Sequence, residues 1–229
     1  MSVTTVVFDY FGTLTPSLRK AASGVDQPEL AAILGVDRAA VETWWKSSYA
    51  DRATGRTGDG LATMRLLSVS LGCTESEEAL RAAQRIRLAT YARMSRPRQD
   101  AVEVLTALRA RGLRIGLLSD CSPELPELWP DLPLASLVDA PVFSSVVGEC
   151  KPHPRMYATV CQRLGVSPAE CLYVGDGGSN ELTGATKVGM RAVLIADENW
   201  LGAHRFDTDD WQGETIHRLA EVPTLIPAT

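Results

Sequence analysis

Three reactive side chains in this sequence each follow a short apolar run, and a fourth stands at a probable helix entrance defined by two prolines. Asp9 follows residues 3–8 and heads Asp9-Tyr10-Phe11-Gly12-Thr13. Ser119 follows residues 113–118, with Asp120 beside it, and Asp176 follows residues 171–174 in Gly175-Asp176-Gly177-Gly178-Ser179-Asn180-Glu181. Lys151 sits in Cys150-Lys151-Pro152-His153-Pro154. Groups at the carboxyl ends of neighbouring parallel strands meet in one crevice, so the four are expected to converge. Residues 16–95 are mildly basic, and the acidic excess lies in the remainder. A basic insert over an acidic core suits an anionic substrate with a cation on the core, although solvated helix faces give the same pattern.

The elements that must hold these groups are legible from hydrophobic spacing. Residues 3–8 form a β-branched, apolar run of the kind buried on both faces of a parallel sheet. Residues 16–95 carry helical spacing instead (Leu30, Ile33 and Leu34; Val41, Trp44 and Trp45; Leu61, Met64, Leu67 and Leu71), and no strand is expected there. From residue 96 onward strands and helices alternate. A helix carrying Val102, Leu105 and Leu108 ends at Gly112, strands follow at 113–118 and 141–143, and a helix runs from Pro154 to Leu164-Gly165. A strand at 171–174, a helix at 181–188, a strand at 192–195 and a last helix at 211–219 complete the expectation. The fold class is therefore α/β: a Rossmann-like parallel sheet from residues 1–15 and 96–229, with an all-helical cap inserted at 16–95.

Composition narrows the function classes. The chain has 229 residues, a formal charge of −5, 45% hydrophobic and 22% charged residues, all within the globular range. No apolar run approaches the roughly 20 residues that span a bilayer, and no basic residue precedes the first apolar run as in a signal peptide. The five cysteines are widely spaced without a C-x-x-C pair, which argues against a disulfide framework or zinc site and for a cytoplasmic location. The acidic balance argues against nucleic acid as a partner, and no membrane association is expected. A homodimer is compatible with the sequence but not specified by it.

The four segments, in this order, resemble the haloacid dehalogenase superfamily of aspartate-nucleophile hydrolases, and the resemblance spans essentially the whole chain, helical cap included. It rests most firmly on the spacing from Gly175-Asp176 through Asn180-Glu181 to Gly184-Ala185. It implies that Asp9 is the nucleophile, that Gly12 and Thr13 shape the turn that receives the substrate, and that Ser119 and Asp120 border a phosphoryl group. Lys151 would neutralise charge on that group and on Asp9. Asp9, the backbone carbonyl of Phe11 and Asp176 would hold Mg²⁺, while Glu181 would support the metal or bind Lys151.

Two features of the pattern conflict. Phosphatases of this superfamily carry a second aspartate two residues after the nucleophile as general acid; here that residue is Phe11, as in the dehalogenase branch. Dehalogenases lack the Gly-Asp pair of the fourth segment, which is intact here. The expectation is a Mg²⁺-dependent phosphatase of a small anionic metabolite. A carbon–halogen hydrolase, or a catalytically weak phosphate- and metal-binding protein, stands as the alternative. Asp120 is a candidate substitute acid, and Trp44, Trp45, Tyr49, Arg52 and Arg56 are candidate selectors of substrate in the cap, unless the tryptophans are core and the arginines solvated.

Overall fold

The structure is a computed structural model that describes residues 2–16, 26–196 and 209–227. Six parallel strands make one sheet: β1 (Thr5–Asp9), β2 (Arg114–Ser119), β3 (Ala140–Phe143), β4 (Cys171–Gly175), β5 (Arg191–Ile195) and β6 (Thr215–Ile216), in the order β3-β2-β1-β4-β5-β6. The chain moves outward from β1 to β3, then returns to the other side of β1 for β4, so β1 lies at the topological switch point where such sheets bind ligands. Register then decides which residues meet. Asp9 pairs with Leu118, and Phe8 pairs with Val174. Ser119 and Gly175-Asp176 therefore leave the sheet at the same edge as Asp9.

Period-two alternation sends strand side chains to two cores. Val6, Phe8, Leu117 and Val174 face one, with α6 (Ala101–Ala110) covering them through Val104, Leu105 and Leu108. Val102, expected among the core positions of that helix, is exposed, because Val104 takes its place on the inward face. Val7, Leu118 and Tyr173 face the other core with α9 (Pro154–Leu164). That helix starts with proline in its first turn, where the missing N–H costs nothing, and stops at Gly165, whose φ of 64° is left-handed.

Between β1 and α6 the described residues are helical: α1 (Gln27–Ile33), α2 (Arg38–Ser47), α3 (Tyr49–Ala53), α4 (Gly60–Ser70) and α5 (Glu77–Met94). Asp37, Asp59 and Ser76 each accept a backbone N–H three residues on, satisfying otherwise orphaned donors at the starts of α2, α4 and α5. Leu30, Leu34, Val41, Met64, Leu67, Leu80 and Ala83 form a third core belonging to this segment. Trp44 and Trp45 pack against it.

The helix expected at 211–219 is not formed. Thr215 and Ile216 instead extend the sheet as β6, pairing with Leu194 and Ile195 of β5, and a 3-10 turn follows at Leu219–Leu225. Gly213 weakens a helix there, and two adjacent β-branched residues suit a sheet edge better.

Candidate active site

At the carboxyl edge of the sheet, Asp9, Thr13, Ser119, Lys151 and Glu181 are all buried, and Asp120 and Asp176 are half-buried. The ammonium of Lys151 donates to Asp9 Oδ1 and to Glu181 Oε2, each at 2.6 Å. Burial alone would pull the Lys151 pKa down, but Asp9 and Glu181 outweigh it and hold the lysine charged, well above its ordinary value. Glu181 is fully engaged: Oε2 also accepts the Tyr173 hydroxyl at 2.7 Å, and Oε1 accepts the Gly177 N–H at 2.9 Å. Burial pushes the Glu181 carboxyl up, and Asp9 and Asp176 add to the push against Lys151.

Three buried side-chain oxygens here have no hydrogen-bond partner among the described residues: Asp9 Oδ2, Thr13 Oγ1 and Ser119 Oγ. A buried polar atom left unpaired costs roughly 1–3 kcal/mol, so three on one edge of a sheet mark a place prepared for a polar guest. Carboxylate oxygens of Asp9, Asp176 and Glu181 lie within 4.8 Å of one another. An all-oxygen, anionic set with an unpaired Asp9 oxygen fits a hard divalent cation. With both its oxygens bound elsewhere, Glu181 serves Lys151 rather than such a cation directly.

The turn after β4 is strained to make this arrangement. Ser179 and Asn180 have φ of 56° and 50°, a left-handed pair without glycine, following Gly177 at 85°. Such conformations cost of order 1–3 kcal/mol each and gather at functional sites. The turn aims the Gly177 N–H at Glu181 and the Gly178 N–H at Asp176 Oδ1 (2.9 Å). Asp209 fastens it from outside, accepting the Leu182 and Thr183 N–H groups at the start of α10 (Glu181–Lys187) while its own N–H donates to the Gly177 carbonyl. Nothing in the sequence singled out Asp209, Tyr173 or Tyr157, whose hydroxyl donates to the Glu181 carbonyl. The available signal was weak: two tyrosines with polar tips in otherwise apolar segments.

Phe11 is no proton donor, and its ring shows what it does instead. It stands edge-on to Tyr10, with centroids 4.9 Å apart, and to Tyr91 of α5 at 6.0 Å, joining the loop after β1 to the helical segment. Asp120 Oδ1 accepts the Lys151 N–H at 3.0 Å, and burial raises the Asp120 pKa against the pull of Lys151. His153 is exposed and caps α9, its Nδ1 accepting the Arg155 N–H. Burial pushes the Cys121 thiol up to about 12, so it is not an activated nucleophile.

The helical segment closes over this edge. Arg52 is buried, stacks on Trp45 with 4.1 Å to the ring centre, and donates to Ser122 Oγ at 2.8 Å. Arg87 covers the Trp45 ring at 4.2 Å and pairs with both Asp26 and Glu124, the last on α7 (Glu124–Leu128) just beyond Ser119 and Asp120. Of the candidate selectors, Arg52 is thus built into the closed joint, while Arg56 is solvent-facing and paired with Asp51. A cavity of about 530 Å³ opens at the same joint, lined by Gly58, Gln84, Pro126 and Glu127 among others, and none of the residues at the sheet edge line it. The five cysteines are free thiols, and among the described residues no helix is long and apolar enough to cross a membrane.

Comparison with known proteins bears on this geometry. A profile of the haloacid dehalogenase-like hydrolases matches residues 3–189. A phosphatase of Mycobacterium tuberculosis is 30% identical over 199 residues, covering 85% of this chain and 88% of its own length. A phosphoglycolate phosphatase of Salmonella typhi is 28% identical over 203 residues, covering 82% and 79%. Among solved structures, the L-2-haloacid dehalogenase of Xanthobacter autotrophicus superposes with a TM-score of 0.64 at 24% identity, over 97% of this chain and 98% of its own, a likeness of fold.

Proposed function

Because the chain belongs to the haloacid dehalogenase-like hydrolases, we propose that it is a Mg²⁺-dependent phosphatase of a small anionic metabolite that carries the phosphoryl group on Asp9. The core would be residues 1–15 and 96–229, and residues 16–95 the cap. One observation carries this reading: Lys151 holds Asp9 by Oδ1 while Oδ2 stays unpaired, and carboxylate oxygens of Asp9 and Asp176 lie within 4.8 Å of each other. A dehalogenase has no evident use for that second carboxylate. The named activities of the curated relatives above lean the same way.

Each residue then has a task. The Lys151 ammonium fixes the rotamer of Asp9, and Glu181, itself held by Tyr173 and Gly177, fixes Lys151. Asp9 Oδ2 attacks phosphorus in line with the leaving oxygen, giving an aspartyl phosphate and the free alcohol. Thr13 Oγ1 and Ser119 Oγ donate hydrogen bonds to phosphoryl oxygens, and Lys151 offsets the charge that gathers there. Water then cleaves the acyl phosphate and restores Asp9. Asp9, Asp176 and the Phe11 carbonyl would hold Mg²⁺, which when bound supplies Lewis-acid neutralisation of the phosphoryl charge. Cap closure, tied through Arg87 and Arg52, excludes water and favours small substrates over proteins.

Phe11 favours a second reading, hydrolysis of a carbon–halogen bond by Asp9. Metal dependence separates the two, and turnover itself separates both from a protein that only binds. The test is phosphate release from aryl, acyl and alkyl phosphates, with Mg²⁺ or with chelator, comparing the unmodified protein with Asp9→Asn. Mg²⁺-dependent release that vanishes in the variant is the expected result. No phosphate under any condition, with halide released from a 2-haloacid, overturns it.

A further inference from the structure

The site lacks a proton donor at the position where a phosphatase of this design keeps one, and the structure offers a replacement. We propose that Asp120 is the general acid and base of the reaction: it protonates the leaving oxygen and then takes a proton from the attacking water. This rests on the phosphatase reading above.

Three observations carry it. Phe11 occupies the usual place and is locked between Tyr10 and Tyr91, so that position delivers no proton. Asp120 directly follows Ser119, whose unpaired hydroxyl marks the phosphoryl seat, and its Oδ1 is fixed by the Lys151 N–H at 3.0 Å. Its carboxyl is thus clamped between the two segments that bracket the seat, and it is half-buried rather than sealed in. Charge supplies the third. Asp9, Glu181 and Asp120 all act on the Lys151 ammonium, and a phosphate group brings more negative charge. An ionised Asp120 beside Ser119 would repel that group; a protonated one donates to it.

The other groups facing Asp120 do not fit the task. Among the described residues they are Lys151, Asp9, the Ser179 hydroxyl, Tyr49 of α3, Tyr157, Cys121 and Cys150. Lys151 is held charged by two carboxylates, and Asp9 is the nucleophile. Burial pushes the thiols of Cys121 and Cys150 up to about 12 and about 11, the Tyr157 hydroxyl is spent on the Glu181 carbonyl, and the phenol of Tyr49, a residue half exposed to solvent, is raised by desolvation and by Asp120, so none of them releases a proton readily near neutrality. Burial raises the Asp120 carboxyl above its ordinary range, the direction that suits a proton donor.

The steps balance. Asp9 Oδ2 forms a bond to phosphorus as the bond to the leaving oxygen breaks, and that oxygen takes the bond's electron pair together with the Asp120 proton. Products are the alcohol, the aspartyl phosphate and an Asp120 carboxylate. Water then bonds to phosphorus while giving one proton to Asp120, the phosphorus–Asp9 bond breaks, and inorganic phosphate leaves with both side chains restored.

Leaving-group dependence tests this in the full chain with Mg²⁺. Proton donation matters for an alkoxide and far less for a nitrophenolate, by about 10²–10⁴-fold on typical general-acid contributions. Asp120→Asn should therefore lose at least tenfold more kcat/KM on an alkyl phosphate than on p-nitrophenyl phosphate. Adding Phe11→Asp to Asp120→Asn should recover part of the alkyl turnover, which no purely structural role of Asp120 explains. Equal losses on both esters, or no selective recovery, overturn the assignment. If the unmodified protein releases phosphate from neither ester, the phosphatase reading falls and this inference falls with it.

Discussion

Replacing Arg87 with methionine tests whether the joint between the helical segment and the sheet is held by buried charge. Arg87 and its two partners are almost completely withdrawn from water: side-chain exposures are 7% for Arg87, 3% for Asp26 and 0% for Glu124. Burial opposes the charge on Arg87, but Glu124 and Asp26 outweigh it and raise its pKa. Methionine keeps much of the side-chain bulk against Trp45 and removes the cation, leaving Asp26 and Glu124 buried without the ion pairs Arg87 makes with them. Removing one partner of a buried pair costs roughly 3–5 kcal/mol. With a urea dependence near the top of the usual range, about 3 kcal/mol per M, the unfolding midpoint should fall by about 1–2 M at unchanged slope. The control is Arg65→Met, which breaks an exposed pair with Glu77 and should leave the midpoint where it is. A shift for Arg87→Met no larger than that of the control would refute the claim that this cluster ties the two parts together. A loosened joint should also raise KM, since the cluster ends on α7, directly downstream of Ser119 and Asp120.

Further expectations concern the site itself. A Cβ on Gly175 would clash with Glu181 Oε1 and lie 2.6 Å from its Cδ, and Glu181 is pinned by four hydrogen bonds to its carboxylate and carbonyl. Gly175→Ala should therefore displace Lys151 and remove most turnover, read as kcat in a steady-state assay. Mg²⁺ should raise the thermal midpoint of the unmodified protein, and Asp176→Asn should abolish that rise even where residual activity is too low to measure. Burial raises the Asp120 pKa in the folded protein, so the folded state binds more protons than the unfolded one between the two values. Stability from this group is present below the unfolded pKa and declines as pH rises through the folded one. Asp120→Asn should flatten that part of the stability–pH curve, measured by urea midpoints across the acid range.

The sequence made some parts of this molecule legible because one physical rule decided them. Residues 3–8 and 171–174 could be little other than buried parallel strands, and parallel register alone then brings Asp9, Ser119 and Asp176 to one edge. Lys151 is expected with them, and the family resemblance implies its pairing with Asp9 and leaves binding to Lys151 as one of two roles for Glu181; the structure shows both contacts. What stayed hidden depends on contacts between distant segments. Asp26, Arg87 and Glu124 each look like ordinary solvated helix charges, and only packing of the helical segment on α7 buries them together. Asp209 acts on residues 26 and 27 positions earlier in the chain, with no local pattern to mark it. At residues 211–219, helical spacing was outweighed by an available sheet edge and by the β-branched pair Thr215-Ile216.

Charge at the site would couple the two ligands proposed for it. Asp9, Glu181 and Asp120 act on the Lys151 ammonium, and the proposed seat of a phosphate group, at Asp9 Oδ2, Thr13 and Ser119, lies next to the Asp9–Asp176 carboxylates. Anion and cation then occupy adjacent places in a poorly solvated pocket, where opposite charges attract far more strongly than in water. Phosphate should bind weakly without Mg²⁺, and by linkage phosphate must tighten Mg²⁺ by the same factor that Mg²⁺ tightens phosphate. A coupling of typical size, about 1–3 kcal/mol, corresponds to roughly 5–150-fold. Calorimetric titration of inorganic phosphate with and without Mg²⁺, and of Mg²⁺ with and without phosphate, measures both factors independently. Equal factors in that range support a shared site. Phosphate affinity indifferent to Mg²⁺ would mean that the cation lies elsewhere, and that the unpaired oxygen of Asp9 is not where the two ligands meet.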